Sequence, residues 1–463
     1  MIKKLQSFFP VTAGALIFMI FALYNRYPIV TGDTTSYLES AFALKVASER
    51  PVFYGLFIRA TSLGLTVWGP IVVQCLLLSY LCLRFFKSIL PGLPDLHTLA
   101  LLLFTSLGTI AGWYAGQLVP DTFTPILFLA LYLYLRAENT GWERIFLLVV
   151  IYLATVVHYS HYVIATVFIT ALLLLGWLYK TGFAAMRKKL LQLLALTVLC
   201  WLSLFTSNFI GGKGFTSSHA SPVFLMGKLC ESGLLKTYLD EACPVKNYKI
   251  CAYKDSLPPV AWEFVWDAAH SPVFKTGGWE ANLEEYRAIM GDIVSKPKYW
   301  PAIACKSIGA TLRQVVLTNI DESEELHWTK YEKDHPLYQA LQQYFPHEIN
   351  SFATSRQNWK TLNITFYDEV FVIVLLLSSF CCMLLLRGDI KKKAGSVYFL
   401  LVLYLLVNAF ATATFGNVLT RLNSRDIWLL PMVNIVFIYA SRAGRNETLP
   451  AGGQLSREKQ DVL

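Results

Sequence analysis

The stretch HYVIATVFITALLLLGWLY, residues 161–179, decides the fold class of this chain. It runs for 19 residues without an Asp, Glu, Lys or Arg, and a helix needs about 20 mostly apolar residues to cross the hydrocarbon core of a bilayer. Comparable runs recur along the sequence. They predict ten membrane spans, at residues 8–26, 65–84, 97–116, 121–136, 145–158, 161–179, 190–207, 368–386, 396–415 and 426–441.

The composition agrees with a membrane protein. Hydrophobic residues make up 55% of the 463 residues and charged residues 15%, with a mean hydropathy of +0.46. Soluble proteins carry about 25% charged residues, so a soluble cytosolic enzyme and a disordered chain are excluded. We expect an all-α polytopic membrane protein with about ten transmembrane helices. A short fifth span and a further interfacial or re-entrant helix within residues 51–66 leave the count between nine and eleven.

Lys and Arg are distributed unevenly between the two sides of these spans. With the N-terminus inside, eighteen fall in inside segments and six in the short outside loops, and the cytoplasmic side carries this excess in membrane proteins. We therefore predict an integral membrane protein, of the bacterial inner membrane, with both termini cytoplasmic. The net charge of +9 follows from this bias and does not indicate nucleic-acid binding. The first span resembles a signal peptide but lacks a small-residue cleavage site, so we expect it to be retained.

The spans divide the chain into four predicted regions. Residues 1–207 form a seven-helix membrane module, 208–365 an extracytoplasmic domain, 366–442 a three-helix membrane module and 443–463 a disordered cytoplasmic tail. Acidic and basic residues nearly cancel in the extracytoplasmic region, at 17 against 16 over residues 207–365. Helical apolar spacing predicts a mostly helical domain, with helices in Phe224–Leu239, Glu284–Val294, Tyr299–Val316 and Leu337–Tyr344.

Four of the nine cysteines lie in the extracytoplasmic region: Cys230, Cys243, Cys251 and Cys305. An even number in an oxidising compartment suggests disulfides, with three ways of pairing. We favour Cys243 with Cys251, because the short segment between them closes readily as a loop, and this leaves Cys230 with Cys305. Four separate thiols are the alternative. The five cysteines in or beside spans are expected to be small apolar core residues.

Ionisable residues at the outside ends of spans are candidates for function. The first outside loop contains Asp33 and Tyr37, and it ends with Arg50 and Tyr54. An alternative role for Asp33 is to cap the helix that follows it, and the two roles are compatible. Arg50 either binds an anion or pairs with Glu49.

Later outside loops add further candidates. Asp121 opens the fourth span, where a helix cap is again the alternative. His158 and His161, at i and i+3, can share a helical face and bind a metal or a phosphate, although interfacial histidines beside tyrosines are common. No acidic residue stands near them in sequence to complete a metal shell. We therefore predict no metal ligands and leave a divalent cation open.

The last outside loop carries two arginines, Arg421 and Arg425, against the charge bias. At i and i+4 they can converge on one anion, and their guanidinium groups match phosphate oxygens in bidentate geometry. The alternative is an ion pair with Asp426 or Asp33. Nucleotide-driven chemistry is not expected, because the glycine-rich phosphate-binding motifs are absent.

These residues form a set that resembles the GT-C type membrane glycosyltransferases, in particular the protein O-mannosyltransferases, the lipid A aminoarabinose transferases and the bacterial RgtA/B/C/D-like group. The layout of seven spans, a large outside domain and variable further spans is similar. The motifs that carry the resemblance are Gly32-Asp33 with Tyr37, Arg50-Pro51-Val52-Phe53-Tyr54, Pro120-Asp121, and Arg425 with Pro431. The chain departs from the family where Asp33 stands alone and where Asp426 replaces an aromatic residue.

The resemblance implies inverting transfer of a sugar from a polyprenyl-phosphate donor to an extracytoplasmic lipid, glycan or protein. Membrane lipids would be its surroundings, and nucleic acid is not an expected partner. Asp33 would be the general base, since a carboxylate can take the proton of an acceptor hydroxyl. The substrate-binding residues implied are Tyr37, Arg50, Tyr54, Asp121, His158, His161, Arg421 and Arg425.

Three other functions remain open from the sequence. A ligase with a lipid-diphosphate donor would depend on the Arg and His residues more than on Asp33. A transporter would need charged or broken helices at mid-membrane, whereas these charges cluster at one face. A non-catalytic scaffold for envelope assembly is the third.

Overall fold

The computed structural model of the chain describes residues 2–179, 183–319, 330–387 and 391–448. Over these residues no strand forms, and the one β contact is an isolated parallel bridge between Ile29 and Gln117. The all-α prediction is confirmed. The helices are α1 Ile2–Phe18, α2 Ile20–Asn25, α3 Asp33–Phe42, α4 Val52–Ser62, α5 Trp68–Ile89, α6 Asp95–Leu107, α7 Ala111–Ala115, α8 Phe123–Arg136, α9 Gly141–Val156, α10 Tyr159–Tyr179, α11 Phe183–Ile210, α12 Ser221–Glu231, α13 Leu234–Ala242, α14 Ala261–Trp266, α15 Pro272–Lys275, α16 Gly278–Ser295, α17 Trp300–Val316, α18 Pro336–Tyr344, α19 Ile349–Ala353, α20 Thr365–Leu385, α21 Lys391–Phe415, α22 Thr420–Ile427 and α23 Leu429–Thr448.

Five helices in the described part of the chain are long and apolar enough to cross a membrane. They coincide with five of the predicted spans and agree with an integral membrane protein. Their apolar stretches are Trp68–Ile89, Tyr159–Tyr179, Met186–Ile210, Thr365–Leu385 and Ala394–Phe415.

The other five predicted spans also fall on helices, but these are shorter, interrupted or more polar. The first is divided at Met19, although backbone hydrogen bonds continue through it, from Met19 N to Ala15 O (3.0 Å) and from Leu23 N to Met19 O (2.9 Å). Helix α8 has 14 residues, or about 21 Å at 1.5 Å per residue, against a hydrocarbon thickness of about 30 Å. The count of ten and the side of each terminus stay predictions.

Helix α8 lies at the centre of the membrane module. Every residue from Phe123 to Leu135 is buried, as expected of a helix that is apolar on all sides. Helix α9 follows through a capping box, in which Thr140 accepts a hydrogen bond from Glu143 N and the Glu143 carboxylate accepts one from Thr140 N. This reciprocal cap starts α9 sharply after α8, and the two helices pack side by side.

Two hydrophobic cores divide the predicted extracytoplasmic region. One core lies wholly within residues 223–299. Residues 331–364 instead contribute to the core of the membrane helices, and Gln357 N donates to Asn25 Oδ1 (2.7 Å) at the end of α2. The region therefore contains a small helical domain and a separate cover over the membrane module.

The helical segments predicted in this region are all helical. The first is split into α12 and α13 by Gly233, whose φ of 76° is in the left-handed range that glycine adopts without strain. At the other end of the chain, α23 continues to Thr448, inside the tail predicted to be disordered. Residues 449–463 lie outside the described residues.

The favoured disulfide between Cys243 and Cys251 is confirmed, with Cα atoms 5.7 Å apart. The remaining pair, Cys230 with Cys305, is wrong, because both are free thiols. Cys230 is buried and its thiol donates to Pro258 O (3.1 Å), while Cys305 is exposed on α17. Each sulfur therefore faces a different environment, which sequence spacing alone did not reveal.

Mass mapping without reductant should recover Cys243 and Cys251 as one linked peptide and Cys230 and Cys305 as alkylated thiols. The disulfide closes a short loop, with a sequence separation of 8, so its loss in Cys243→Ser should cost about 2 kcal/mol of stability, at the lower end for disulfides. Alkylation of both Cys243 and Cys251 in the native protein would contradict the pairing.

Candidate functional site

Four separate connections between helices bring the charged residues of the site together. Asp33 begins α3, Arg50 precedes α4, Asp121 lies in the turn before α8, and Arg421 and Arg425 lie on α22. A glycine allows the contact between Asp33 and Arg50. A Cβ on Gly55 of α4 would lie 2.6 Å from Ser40 Cβ of α3, so only glycine allows the close packing of α3 and α4 that places Arg50 beside Asp33.

Asp33 forms ion pairs with two arginines. Arg50 Nη2 donates to Asp33 Oδ1, and Arg421 Nη2 donates to Asp33 Oδ2 at 3.0 Å. The cap role considered for Asp33 is wrong, since Gly32 is the N-cap of α3 and no side chain caps that end. The ion pair with Glu49, one of the two alternatives for Arg50, does not form, and Glu49 Oε1 accepts a hydrogen bond from Ser36 (3.1 Å).

Asp121 continues the same network deeper in the protein. Arg425 Nη1 donates to Asp121 Oδ1 at 3.1 Å. Arg421 Nε lies 3.4 Å from Asp121 Oδ2, a charge contact without hydrogen-bond alignment. No side-chain cap is made at the start of α8, so the cap role considered for Asp121 is wrong as well. Arg421 thus bridges both aspartates, which defines the arginine–aspartate network: Arg50, Asp33, Arg421, Asp121 and Arg425.

The network has an outer end and an inner end. Side-chain exposure is 25% for Asp33, 16% for Arg50 and 29% for Arg421, against 2% for Asp121 and 0% for Arg425. A ligand in the solvent can therefore contact the outer three residues, whereas the inner two are buried.

The charges of the network fix the protonation of its outer carboxylate. Burial alone would raise the pKa of the Asp33 carboxyl, but the positive charges of Arg50 and Arg421 outweigh it and hold that pKa well below its usual range. Because the pKa is lowered in the folded state, these ion pairs contribute stability that is fully present above the ordinary carboxyl pKa of about 4. That stability is lost as the pH falls below this value.

Polar side chains that the sequence did not single out complete the inner end. Arg425 Nη2 donates to Ser160 Oγ (3.1 Å) and to Asn408 Oδ1 (3.2 Å). Asn408 Nδ2 in turn donates to Asp426 Oδ1 (3.2 Å). Asn408 could have been singled out in the sequence as a lone amide in the apolar run of α21, because polar groups at membrane depth need a hydrogen-bond partner.

The two predicted histidines differ in their surroundings. His161 is buried, and both ring nitrogens are used: Nδ1 lies 2.7 Å from Ala154 O and must donate to it, and Nε2 lies 2.7 Å from Thr124 Oγ1. His158 is partly exposed, and its Nδ1 accepts a hydrogen bond from Ser160 N (3.1 Å). His161 therefore supports the fold, and His158 is the one that remains accessible.

The predicted tyrosines lie behind the outer end rather than on its surface. Tyr37 and Tyr54 are both buried and pack edge to face with ring centroids 4.9 Å apart. Tyr54 OH donates to Gln74 Oε1 (3.3 Å). They support α3 and α4, and this placement does not favour direct contact with a substrate.

The arginine–aspartate network is incompletely hydrogen-bonded. The Nε atoms of Arg50, Arg421 and Arg425 and Asp121 Oδ2 are buried and make no hydrogen bond within the described residues. Buried polar groups normally have a hydrogen-bond partner, so the charge contacts of these arginines and of Asp121 are not matched by a complete set of hydrogen bonds. Among the described residues, no cluster of three or more His, Cys, Asp or Glu is placed to hold a metal ion.

Comparisons with protein-family models, curated proteins and solved structures gave no match to this chain. The resemblance to GT-C glycosyltransferases therefore stays a prediction from the motifs, and the function must be argued from the site itself.

Removing one member of the buried Arg425–Asp121 pair should destabilise the protein strongly. Asp121→Leu removes the carboxylate to which the buried Arg425 donates, which should lower the free energy of unfolding by about 3–5 kcal/mol. The double variant Asp121→Leu/Arg425→Met should recover much of that loss, because it removes both members of the ion pair. Thermal unfolding in detergent micelles measures the stability of the wild type, the single variant and the double variant.

Glu39→Gln is the matched control, since it breaks the exposed Lys45–Glu39 pair (2.8 Å) on the same module. Exposed pairs contribute at most about 1 kcal/mol. A loss in Asp121→Leu no larger than in this control would show that the inner pair does not hold the module together.

Proposed function

We propose that the chain is an inverting membrane glycosyltransferase that moves a sugar from a polyprenyl-phosphate donor to a hydroxyl of an extracytoplasmic acceptor. The observation that carries the proposal is the outer end of the arginine–aspartate network, where Asp33 lies between the partly exposed Arg50 and Arg421. A carboxylate can act as general base, and two guanidinium groups match phosphate oxygens. Displacement of a lipid phosphate by a hydroxyl needs both.

The resting ion pairs suggest how the base becomes active. A carboxylate with two bound arginines is a weak base, because its pKa lies far below the pH at which it works. A donor phosphate would compete with Asp33 for Arg50 and Arg421. Once the phosphate holds these cations, the pKa of Asp33 rises towards its ordinary value, so donor binding itself would prepare the base.

The chemical step then balances as one displacement. The acceptor hydroxyl gives its proton to the Asp33 carboxylate while its oxygen forms a bond to the anomeric carbon. The bond from that carbon to the phosphate oxygen breaks, and the electron pair leaves with the polyprenyl phosphate. Arg50 and Arg421 stabilise the charge that grows on the leaving phosphate. Attack from the face opposite the leaving group inverts the anomeric centre.

Arg425 has a different role in this proposal from the one expected for it. Since it is fully buried and bound to Asp121, Ser160 and Asn408, it positions α22 rather than contacting the donor. It thereby holds Arg421, four residues earlier on the same helix, towards Asp33. His158 is the remaining accessible side chain for a sugar or acceptor group.

The proposed topology has ten crossings, with both termini cytoplasmic and the outside domain and the site on the opposite face of a bacterial inner membrane. The arginine–aspartate network supports this topology. Asp33, Asp121, Ser160 and Arg425 come from the connections after the first, third, fifth and ninth predicted spans. Connections separated by an even number of crossings lie on one face of a membrane. Asp33, Asp121 and Arg425 belong to the arginine–aspartate network, and Arg425 donates a hydrogen bond to Ser160.

Asp33→Asn tests the reaction. The amide keeps the size of the side chain but cannot take a proton, so turnover should fall about 10²–10⁴-fold while binding of polyprenyl monophosphate persists. Arg421→Ala should weaken that binding, because the phosphate loses charge-assisted hydrogen bonds. The assay uses protein in nanodiscs with a panel of polyprenyl-phosphate sugars, and it measures released polyprenyl phosphate and lipid affinity separately.

Glu39→Gln, the same chemical change on the exposed side of α3, should behave as wild type in both assays. Wild-type turnover by Asp33→Asn would show that Asp33 is not the general base and would favour a structural role for its ion pairs. Unchanged lipid affinity in Arg421→Ala would show that Arg421 does not bind the donor phosphate.

A further inference from the structure

A cavity of about 990 Å³ lies away from the arginine–aspartate network. It is an open groove between α12, α16 and α17 of the outside domain and the C-terminal end of α21. Its walls include Leu225, Leu229, Met290, Val294 and Phe415, and the last two are 61% and 48% exposed. We call it the α17 groove.

The α17 groove continues the lipid-facing surface of a membrane helix. Helix α21 is one of the five candidate spans, and it exposes Val402, Leu406 and Phe410 along one side. The same helix ends in the groove wall at Ala413 and Phe415. An acyl chain lying against α21 can therefore extend into the groove without leaving an apolar surface.

Cations surround this apolar floor. Lys228, Arg287, Lys306 and Arg313 line the groove together with a single acidic residue, Glu231. Glu231 pairs with Lys228 (2.7 Å) and with Arg313 (3.7 Å). Arg287 and Lys306 are exposed and have no acidic side chain within 4.0 Å among the described residues, so the groove carries an excess of positive charge.

We propose that the α17 groove binds a bilayer phospholipid with an anionic headgroup. Its acyl chain packs against the apolar floor and the end of α21, and its phosphate lies between Arg287 and Lys306. Charge complementarity and continuity with the membrane surface select this occupant over a zwitterionic lipid. The site is separate from the proposed sugar transfer and does not depend on it.

Helix α17 contributes to the groove and also holds the start of α22. The Gln314 side-chain amide binds the backbone of Leu419: Gln314 Nε2 donates to Leu419 O (2.6 Å), and Leu419 N donates to Gln314 Oε1 (3.1 Å). Leu419 directly precedes α22, which carries Arg421 and Arg425. A lipid in the groove would thus stabilise the helix against which α22 is seated.

Cys305 is a native probe of occupancy, because it is exposed and lines the groove. The protein is reconstituted in nanodiscs of phosphatidylcholine alone or mixed equally with phosphatidylglycerol. The rate at which N-ethylmaleimide alkylates Cys305 is followed by peptide mass spectrometry. Phosphatidylglycerol should slow this rate, whereas a reference thiol in Lys333→Cys, on the exposed surface outside the groove, should react equally in both.

Lys306→Glu and Arg287→Glu should each reduce lipid protection about fivefold, as expected for one basic residue near an anionic lipid. Lys333→Glu, the same charge change elsewhere, should retain protection. Native mass spectrometry should find less phosphatidylglycerol bound to Lys306→Glu than to the wild type.

Equal Cys305 rates in the two nanodiscs, or full protection in both charge-reversal variants, would overturn the proposal. Protection only after decaprenyl phosphate is added would overturn the phospholipid assignment and make the groove a site for polyprenyl lipid instead.

Discussion

The arrangement of the membrane module depends on the buried ion pair of Asp121 and Arg425, and Arg421 connects this pair to Asp33 by contacting both carboxylates. Charged groups are costly to bury unless they are paired. The inner pair is almost fully buried, so the connections that carry these residues cannot separate without leaving a lone charge inside the protein. The helices between them are thereby fixed at one end, and hydrophobic packing around α8 fixes the rest.

The two ends of the network have different roles in this account: the inner end supports the fold and the outer end is the proposed reaction site. The inner pair of Asp121 and Arg425, with Ser160 and Asn408, is a rigid base for α22. The outer group of Asp33, Arg50 and Arg421 is partly exposed. In the proposed reaction a phosphate takes the place of the Asp33 carboxylate on either arginine. Cations held in position before the donor arrives would then stabilise the leaving phosphate electrostatically.

Sequence reasoning could find the helices and most of the charged residues, because both depend on local pattern. Apolar runs predict helices, and polar residues at their ends are visible in any sequence. It could not choose between the possible partners. An ion pair of Arg421 with Asp33 was only one of the alternatives, because the two residues are 388 positions apart in the sequence. Cys230 and Cys305 could be paired by elimination, although one is buried and the other exposed. Asn408 stood out only as a polar residue in an apolar run, since its role follows from the fold of α21 on α22.

The most direct test of the account is a cryo-electron microscopy structure of the protein in nanodiscs with decaprenyl phosphate. The account predicts phosphate density within hydrogen-bond distance of Arg50 and Arg421, with the Asp33 carboxylate released from at least one of them and Arg425 still bound to Asp121. Lipid density elsewhere, with both ion pairs of Asp33 unchanged, would contradict it.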